Sequence, residues 1–409
     1  MLKVYQLISY FLIPIILINL CFRIINKKED KNRYRERFGK SKKNLDSSKR
    51  IIWIHAASIG EFKSSKLIID KYHNNFHILV TTTTKSSAEY INKFYKDKIL
   101  HQYIPFDISI WCSKFLNNWQ PILVLWVESD IWPNMLNQIR KRNIKCLFIN
   151  ARVSPKSFKK WKYLKNLYSF SLHTFIKIFA QSQNDLERIN KLTKLKIEYI
   201  GNMKLFQSNN LDINHINQYK KKYSVMLISS HKNEEELVIK QIESVIKNKE
   251  LKLYIAPRHP ERSSEIINIL GKYNLKYSLD SNHNVINDVP VTIIDSFGKL
   301  NKYFGMSELV ILGGSFVDKG GHNPLEPANY KCAIISGNLV YNWQNIYEDM
   351  VKENACIIID DINNLKFKFN EIISNKVMLE EYKKNAFNFS KKKFFEKERL
   401  FEEIDLVLK

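Results

Sequence analysis

The first candidate for chemistry is a carboxylate, Glu61, which follows the apolar run Ile51–His55. Such a run is typical of a buried strand, and the residues after it have helical periodicity. A carboxylate at the end of a strand, pointing into a cleft, could act as a general base. Its spacing from Ser58 also fits a capping box, in which Glu61 would only accept the backbone N–H of Ser58. Spacing alone leaves both interpretations open.

Two further carboxylates, Glu128 and Asp130, directly follow a second apolar run, Ile122–Val127. Asp130 could cap a helix that starts near Pro133, because aspartate is a preferred N-cap residue. No capping role is available to Glu128, which favours a function for it. Lys204 closes the first series of predicted strands, where it could meet an anion or could be a solvent-facing hinge lysine.

A glycine-rich loop follows the apolar run Leu309–Leu312, and residues 313–321 contain four of the 11 glycines of the chain. After the loop, Asn323 at the N-cap, Pro324 at the first helical position and Glu326 three residues after the cap predict a helix start. Strand, loop and capped helix together would place backbone N–H groups and the positive end of a helix around an anion, usually a phosphate. The alternative is a tight turn that only needs left-handed backbone, which is disfavoured in a chain so poor in glycine.

Other strand ends in the second half also carry polar groups. Arg258 and His259 stand between two prolines, and arginine suits bidentate contact with a phosphate. His259 could equally be a structural histidine. The turn 295–300 offers a serine hydroxyl and backbone N–H groups, and His231 ends another predicted strand.

Short apolar runs alternate with helical patterns in two successive series. The predicted strands of the first series are Ile51–His55, Ile78–Thr82, Ile122–Val127, Cys146–Asn150, Thr174–Gln181 and Ile197–Ile200. Those of the second are Ser224–Ser229, Leu251–Ala256, Val291–Asp295, Leu309–Leu312, Cys332–Ser336 and Ala355–Ile359. Two such series predict an α/β protein with two doubly wound parallel sheets facing a cleft. The polar stretch Gln207–Lys222 between the two series is predicted to be a linker or a surface helix. Ligands of such sheets bind at the carboxyl ends of the strands, where the candidate residues lie.

The segment Val4–Ile25 is almost wholly apolar and would extend about 33 Å as a helix, enough to cross a bilayer. Only Lys3 precedes it and no small-residue cleavage site follows, so we expect an uncleaved anchor rather than a signal peptide or a core helix. Seven basic residues between Arg23 and Arg37 predict that the rest of the chain is cytoplasmic, and they could bind anionic lipid. Whether the helix crosses the membrane or lies in its surface stays open.

The net charge of +24 would suit a polyanion, but the lysines are scattered over the whole sequence. No zinc-finger spacing, basic heptad or RNA-binding signature occurs, so we expect no nucleic acid partner. The five cysteines contain no C-x-x-C pair, which indicates reduced thiols in the cytosol. The absence of D-x-D, Walker and G-x-S-x-G motifs argues against a metal-dependent sugar-nucleotide enzyme, an NTPase and a serine hydrolase. We expect neither a metal nor a cofactor.

Taken in order, the motifs of the chain resemble those of the 3-deoxy-D-manno-octulosonic acid (Kdo) transferases of lipopolysaccharide synthesis. The segments that carry this likeness are R-E-R-F-G (35–39), H-A-A-S-I-G-E (55–61), E-S-D-I-W-P-N (128–134), N-A-R (150–152), A-Q-S (180–182), G-N-M-K (201–204), P-R-H-P-E-R (257–262) and G-G-S-F-V-D-K-G-G-H-N-P-L-E-P (313–327). Each motif alone is a weak signal, but the ordered set is highly specific and extends over essentially the whole chain.

The resemblance implies a GT-B fold and an inverting transfer of Kdo from CMP-Kdo to the lipid A precursor, lipid IVA, at the cytoplasmic face of the inner membrane. The implied partners are CMP-Kdo, lipid IVA and inner-membrane phospholipids. By position, Glu61 would be the general base, and Glu128 and Lys204 would stabilise the transition state. The implied CMP-binding residues are Pro257, Arg258, His259, Phe297, Gly298, Lys299, Gly314, Ser315, Asn323, Pro324, Leu325 and Glu326.

We expect a membrane anchor over 1–27, an acceptor-binding domain over 28–206, a CMP-Kdo-binding domain over 207–385, and a final helix over 386–409 that could pack on the first domain. Two departures from the family pattern occur, at Leu205-Phe206 in place of Phe-Asp and after His231, where an acidic-glycine pair is missing. The rival interpretations are another two-domain glycosyltransferase, a sugar-nucleotide epimerase, and a membrane-tethered lipid-binding protein that has lost catalysis.

Overall fold

The computed structural model describes residues 1–41, 49–128, 130–205, 223–248, 251–281, 289–392 and 395–409. The chain divides into two compact units, one comprising Met1–Gln207 with Lys393–Lys409 and the other Ser208–Lys392. The predicted linker Gln207–Lys222 and the departing residue Phe206 lie outside the described residues.

The N-terminal apolar segment forms two helices, α1 (Leu2–Phe11) and α2 (Ile13–Ile25), bent by 54° at the break between them. Neither helix alone has the length and apolar composition to cross a bilayer, whereas the bent pair taken together does. The single helix expected from the sequence is therefore broken. One face of α1 is tied to the first unit, because the Tyr5 hydroxyl donates to Asp107 (2.9 Å) and the Asn134 side chain donates to Ser9 (3.3 Å).

The first unit is built on a parallel sheet of seven strands in its described part, ordered β3-β2-β1-β4-β5-β6-β7. The strands are β1 (Ile51–His55), β2 (His77–Thr82), β3 (Leu100–Tyr103), β4 (Leu123–Val127), β5 (Lys145–Ala151), β6 (Lys177–Ala180) and β7 (Glu198–Tyr199). From β1 the chain moves outward to β3 and then returns to place β4 on the other side of β1. The topological switch point, where such sheets bind ligands, therefore lies between β1 and β4.

Helices cover both faces of this sheet, so the central strands are buried on both sides. They are α3 (Ile59–Tyr72), α4 (Lys85–Tyr95), α5 (Ser109–Trp119), α6 (Pro133–Lys141), α7 (Pro155–Tyr163), α8 (Lys165–Leu172), α9 (Gln183–Leu192) and the C-terminal α17 (Lys397–Leu408). In α17, Asp405 accepts from the Tyr72 hydroxyl (2.6 Å) and pairs with Lys71 (2.8 Å), both on α3. The last helix of the chain is thus part of the first unit.

The second unit contains a further parallel sheet, with seven strands in its described part in the order β10-β11-β9-β8-β12-β13-β14. The strands are β8 (Ser224–Ser230), β9 (Lys252–Pro257), β10 (Tyr277–Leu279), β11 (Val291–Ile293), β12 (Leu309–Leu312), β13 (Ala333–Gly337) and β14 (Ile357–Ile359). The helices are α10 (Glu234–Lys247), α11 (Ser263–Lys272), α12 (Leu300–Met306), α13 (Leu325–Asn329), α14 (Gln344–Lys352), α15 (Leu365–Ser374) and α16 (Lys376–Ser390). The switch point of this sheet lies between β8 and β12.

The two predicted sheets are confirmed, and the differences concern strand edges. Strands β3 and β10 were not predicted. Each is the outermost strand of its sheet and contains polar residues, so it lacks a continuous apolar run. The predicted strand Thr174–Gln181 is shortened to β6, because Thr174 and Phe175 belong to the turn that ends α8.

Candidate functional site

Glu61 lies in the first turn of α3, directly after β1. Ser58 is the N-cap of α3, and its hydroxyl accepts the N–H of Glu61 (3.3 Å). The Glu61 carboxylate does not complete the capping box at Ser58; instead it accepts the N–H of Ala57 at 2.6 Å. Only 7% of Glu61 is exposed. The structure therefore combines a partial capping role with a buried carboxylate at the end of β1.

Glu128 occupies the corresponding position after β4, on the other side of the switch point. Its backbone is left-handed (φ 68°), a conformation that costs a non-glycine residue roughly 1–2 kcal/mol. The carboxylate is buried and forms an ion pair with Lys204, the Nζ–Oε1 distance being 2.7 Å. Strain of this kind is retained where the surroundings fix it, often at functional sites. The structure brings Glu61, Glu128 and Lys204 together, as predicted from the sequence.

Asn150, for which the sequence predicted no role in the site, joins the segments that carry this cluster. It lies at the end of β5, is 1% exposed and also has left-handed backbone (φ 54°). Its Oδ1 accepts the N–H of Met203 (3.0 Å), and its Nδ2 donates to Gln181 (3.2 Å) and approaches Glu128 Oε1 (3.5 Å). Asn150 thus holds the turn before Lys204 next to the end of β4.

Asp130 does not cap α6, the helix that begins at Pro133. The N-cap is Trp132, and the N–H groups of Asn134 (3.0 Å) and Met135 (2.8 Å) donate instead to the distant carboxylate of Asp107. Sequence spacing could not reveal this cap, because Asp107 precedes the helix by a strand and another helix. The Asp130 carboxylate remains near Glu61 and acts on its ionisation.

Burial, together with the nearby carboxylates of Glu128 and Asp130, raises the pKa of Glu61 to about 8. The Ala57 N–H and the Lys204 ammonium oppose this rise. A general base works best when its pKa lies near the working pH, because an appreciable fraction of it is then ionised and the ionised form takes a proton readily. The geometry and ionisation of Glu61 therefore suit proton abstraction from a hydroxyl.

In the second unit, the glycine-rich loop between β12 and α13 already contains an anion supplied by the chain. The carboxylate of Glu234, in the first turn of α10, accepts the N–H groups of Gly314 (2.7 Å), Ser315 (3.1 Å), Phe316 (3.0 Å) and His231 (3.0 Å). Glu234 is fully buried. The N–H groups of Gly314 and Ser315, which were predicted from the sequence to bind a phosphate, are thus engaged by this side chain.

Replacing Glu234 by glutamine should lower the free energy of unfolding by about 2–4 kcal/mol, because one amide oxygen cannot accept four N–H groups and its NH₂ would oppose them. Urea denaturation measures this change. The matched control is Glu236→Gln in the same turn of α10, where the side chain is 41% exposed and pairs with Lys272 (3.2 Å). The control should cost less than about 1 kcal/mol, as exposed pairs do. Equal losses in the two variants would contradict the role of Glu234.

The helix start predicted after the loop is short: α13 contains only five residues and its N-cap is Pro324. Asn323, one residue before the N-cap, still satisfies a backbone group at the start of this helix, since its Oδ1 accepts the N–H of Leu325 (3.0 Å). Leu325 and Pro324 are buried, whereas Glu326 is exposed. A helix this short adds little dipole field, so an anion here would depend on neighbouring side chains.

The remaining predicted CMP-binding residues lie at the ends of β9 and β11. Pro257 ends β9 and is buried, while Arg258 and His259 after it are exposed. Phe297 is 75% exposed and precedes Gly298, around which a side chain would meet open space. An exposed aromatic ring of this kind can stack on a nucleobase.

Lys299 is also among the predicted CMP-binding residues, but its ammonium forms an ion pair with Asp280. Asp280 also accepts a hydrogen bond from the hydroxyl of Tyr303. Burial alone would raise the pKa of Asp280, but its contacts with Lys299 and Tyr303 outweigh burial and lower that pKa. The Lys299 side chain is therefore already neutralised, and its backbone rather than its charge is available at this turn.

Solved structures with the same architecture include a glycosyltransferase from Rickettsia africae, with a TM-score of 0.58 and 13% identity over 88% of this chain and 98% of that one. They also include MurG of Acinetobacter baumannii, with a TM-score of 0.57 and 11% identity over 88% of this chain and 99% of that one. Two doubly wound parallel sheets of this kind define the GT-B class of glycosyltransferases, which confirms the predicted fold class.

The sequence comparisons identify the family. A family model described as 3-deoxy-D-manno-octulosonic-acid transferase (kdotransferase) matches residues 32–207. The 3-deoxy-D-manno-octulosonic acid transferase of Rickettsia bellii is 32% identical, over 95% of this chain and 95% of its own length. The chain therefore belongs to the Kdo transferase family of glycosyltransferases, as the ordered motifs indicated.

Proposed function

We propose that this enzyme transfers Kdo from CMP-Kdo to lipid IVA with inversion at the anomeric carbon, in lipopolysaccharide synthesis. The observation that carries the mechanism is the buried Glu61 carboxylate, whose pKa of about 8 lies near neutrality beside the Glu128–Lys204 pair. Family membership supports the sugar, and the site chemistry supports the way in which it is transferred.

In the proposed reaction, Glu61 takes the proton of an acceptor hydroxyl while that oxygen forms a bond to the anomeric carbon of Kdo. The bond between this carbon and the phosphate oxygen breaks, and its electron pair leaves with CMP. Lys204, held by Glu128 at 2.7 Å, supplies a fixed positive charge beside the base, so little reorganisation is needed as charge develops. Proton transfer of this kind contributes about 10²–10⁴-fold to a rate.

The second unit would bind the nucleotide. Phe297 offers an exposed ring for the cytosine, and Arg258 offers a guanidinium for the phosphate. The sequence carries no D-x-D motif, and a monophosphate leaving group carries less charge than a diphosphate. We therefore propose that side chains of the protein rather than a metal neutralise the departing CMP.

Incubating the full-length protein with CMP-Kdo and lipid IVA, and weighing the lipid by mass spectrometry, tests this proposal directly. We expect the mass of lipid IVA to increase by whole Kdo residues, and the spectrum also counts how many are added. UDP-N-acetylglucosamine in place of CMP-Kdo should give no product. Transfer from the UDP-sugar, or its epimerisation, would contradict the proposal.

We also propose that α1 and α2 attach the enzyme to the cytoplasmic face of the inner membrane. Large apolar side chains of both helices are exposed, among them Phe11 (75%), Ile25 (74%) and Phe22 (60%). The basic cluster is smaller than its sequence suggested, because three of its members are ion-paired to glutamates. These are Arg23 and Arg37 with Glu29, and Arg33 with Glu36.

Phe11→Ser and Phe22→Ser should each weaken binding to phosphatidylcholine–phosphatidylglycerol vesicles by about tenfold, since burying a phenylalanine contributes about 1.5–3 kcal/mol. Vesicle co-sedimentation measures the change. Phe94→Ser is the matched control, because Phe94 is 57% exposed on α4 in the same unit. If all three variants bind as the unmodified protein does, the membrane role of α1 and α2 is wrong.

A further inference from the structure

Two histidines face each other at the switch point of the second sheet. His231 follows β8, and His322 lies in the loop that follows the neighbouring strand β12. Their rings are nearly parallel (6°), and the two Nε2 atoms are 3.1 Å apart. This close approach requires Gly314, because a Cβ there would stand 2.9 Å from His322 Nε2. The Tyr347 hydroxyl fixes the same loop by donating to the His322 carbonyl (2.9 Å).

The hydrogen bonds of the pair determine its neutral tautomers. A hydrogen bond between His322 and the backbone of Ser229 raises the pKa of His322, so this bond stabilises the protonated ring. The ring nitrogen of His322 that does not face His231 therefore donates to the Ser229 carbonyl. A neutral His322 therefore presents a lone pair at Nε2, and His231 must donate to it from its own Nε2–H. The lone pair that remains is at His231 Nδ1. The pair can accordingly accept one proton without breaking either hydrogen bond.

Burial and the surrounding cations keep the pair neutral. Burial, with smaller contributions from His231 and Arg258, lowers the pKa of His322 to about 4. Burial also lowers the pKa of His231, together with Lys319, His259, Arg258 and Arg262. Among the described residues, Arg262 is paired with Glu235 (2.7 Å) and Glu265 (3.1 Å), whereas the side chains of Arg258 and Lys319 form no ion pair.

The acidic groups nearby are already engaged. The Glu234 carboxylate accepts four backbone N–H groups, that of His231 included. Asp318 interacts with the Tyr341 hydroxyl, whose pKa it raises. The imidazole pair and two unpaired cations thus share one strand-end region without an anion of their own. Such a concentration of positive charge favours an anionic ligand.

We propose that His231 and His322, with Arg258 and Lys319, form a proton-accepting subsite for the phosphate of the bound cytidine nucleotide. The inference rests on the proposed function, because it takes the nucleotide as the ligand. When the phosphate binds, its negative charge offsets that of the cations, and His231 takes up a proton at Nδ1 from solvent. The nucleotide then binds more tightly as the pH falls, and the charged pair stabilises the leaving phosphate.

Isothermal titration of the full-length protein with cytidine 5′-(methyl phosphate) tests this subsite, because that phosphodiester does not itself titrate near neutral pH. Repeating the titration at about pH 7 in buffers of different ionisation enthalpy counts the protons taken up. We expect net proton uptake and about tenfold tighter binding at pH 6 than at pH 8, as linkage requires. Cytidine, which lacks the phosphate, should show neither effect.

His231→Gln should abolish the proton uptake and flatten the pH dependence of binding, because the proton is taken up at His231 Nδ1. His322→Gln, whose amide oxygen can still accept the His231 Nε2–H, should keep both effects. Lys319→Ala should move the pH dependence to higher pH, because Lys319 lowers the pKa of His231. His173→Gln, an exposed histidine of the first unit, controls for the loss of an imidazole. Circular dichroism melts establish that each variant is folded, and His231, which is only partly buried, is the safer substitution.

Binding without proton uptake in the unmodified protein, or uptake unchanged in His231→Gln, would overturn this inference and leave the proposed function intact. Failure of both the phosphodiester and CMP to bind at any pH would overturn the proposed function together with the inference.

Discussion

Glu61→Gln should lower kcat by about 10³-fold, within the range that a positioned general base contributes. Glutamine keeps the size of the side chain and can still accept the Ala57 N–H, but it cannot take a proton. The same substitution should stabilise the protein at alkaline pH. Few substitutions would so clearly separate a catalytic carboxylate from one that only caps a helix.

The sign of the stability change follows from the pKa of Glu61, which is raised to about 8 in the folded protein. A carboxylate whose folded pKa is raised contributes stability that is fully present below its unfolded pKa and is lost as the pH rises through the folded value. Glutamine resembles the protonated form at every pH. We therefore expect equal melting temperatures near pH 4, and a melting temperature several degrees higher for Glu61→Gln above pH 8.

Kinetics with CMP-Kdo and lipid IVA, and thermal melts at both pH values, measure the two effects. Glu89→Gln on α4 is the control, because Glu89 has 65% of its side chain exposed and should alter neither quantity. Activity within about tenfold of the unmodified enzyme would remove Glu61 from the mechanism, since loss of a base costs at least about 10²-fold.

Lys204→Met and Glu128→Gln should each reduce kcat/KM by about 10²-fold or more, as loss of a preorganised charge does, and should shift its pH profile in opposite directions. Lys204 lowers the pKa of Glu61 and Glu128 raises it. The acidic limb of the profile should therefore move up by about one pH unit in Lys204→Met and down by a similar amount in Glu128→Gln, as expected for a charge a few ångströms away. Opposite shifts cannot arise from a general loosening of the site.

The two variants should also differ in stability. Lys204→Met leaves the Glu128 carboxylate buried without its partner, which costs about 3–5 kcal/mol, whereas Glu128→Gln leaves a lysine that is 28% exposed and can reach water. Lys177→Met is the matched control: Lys177 also pairs with two glutamates of the first unit, Glu198 (3.3 Å) and Glu403 (2.9 Å). Lys177→Met should not shift the pH profile of kcat/KM. Shifts of the same sign in the two site variants would contradict the arrangement described.

Much of the fold could be predicted because buried parallel strands are continuous apolar runs, and the chain order of those runs fixes the two sheets. The positions of Glu61 and Glu128 could be predicted for the same reason, since each directly follows such a run. The edge strands β3 and β10 could not, because polar residues interrupt them.

Contacts between distant segments could not be predicted from local patterns. Glu234 is one of three successive glutamates in the first turn of α10, where a favourable interaction with the helix dipole would explain all three. Only the packing of α10 against the loop after β12 distinguishes the buried Glu234 from its neighbour Glu236. Asn150 was missed in the same way, because its partners Gln181 and Met203 are remote in sequence.

The internal carboxylate of Glu234 has a consequence for the energetics of ligand capture. Three successive N–H groups of the loop, from Gly314 to Phe316, are already fixed before any substrate arrives. The loop therefore loses little further conformational entropy when a nucleotide binds beside these groups. This preorganisation makes binding tighter than it would be with a mobile loop. Association should then proceed at a rate set by diffusion and charge rather than by loop rearrangement.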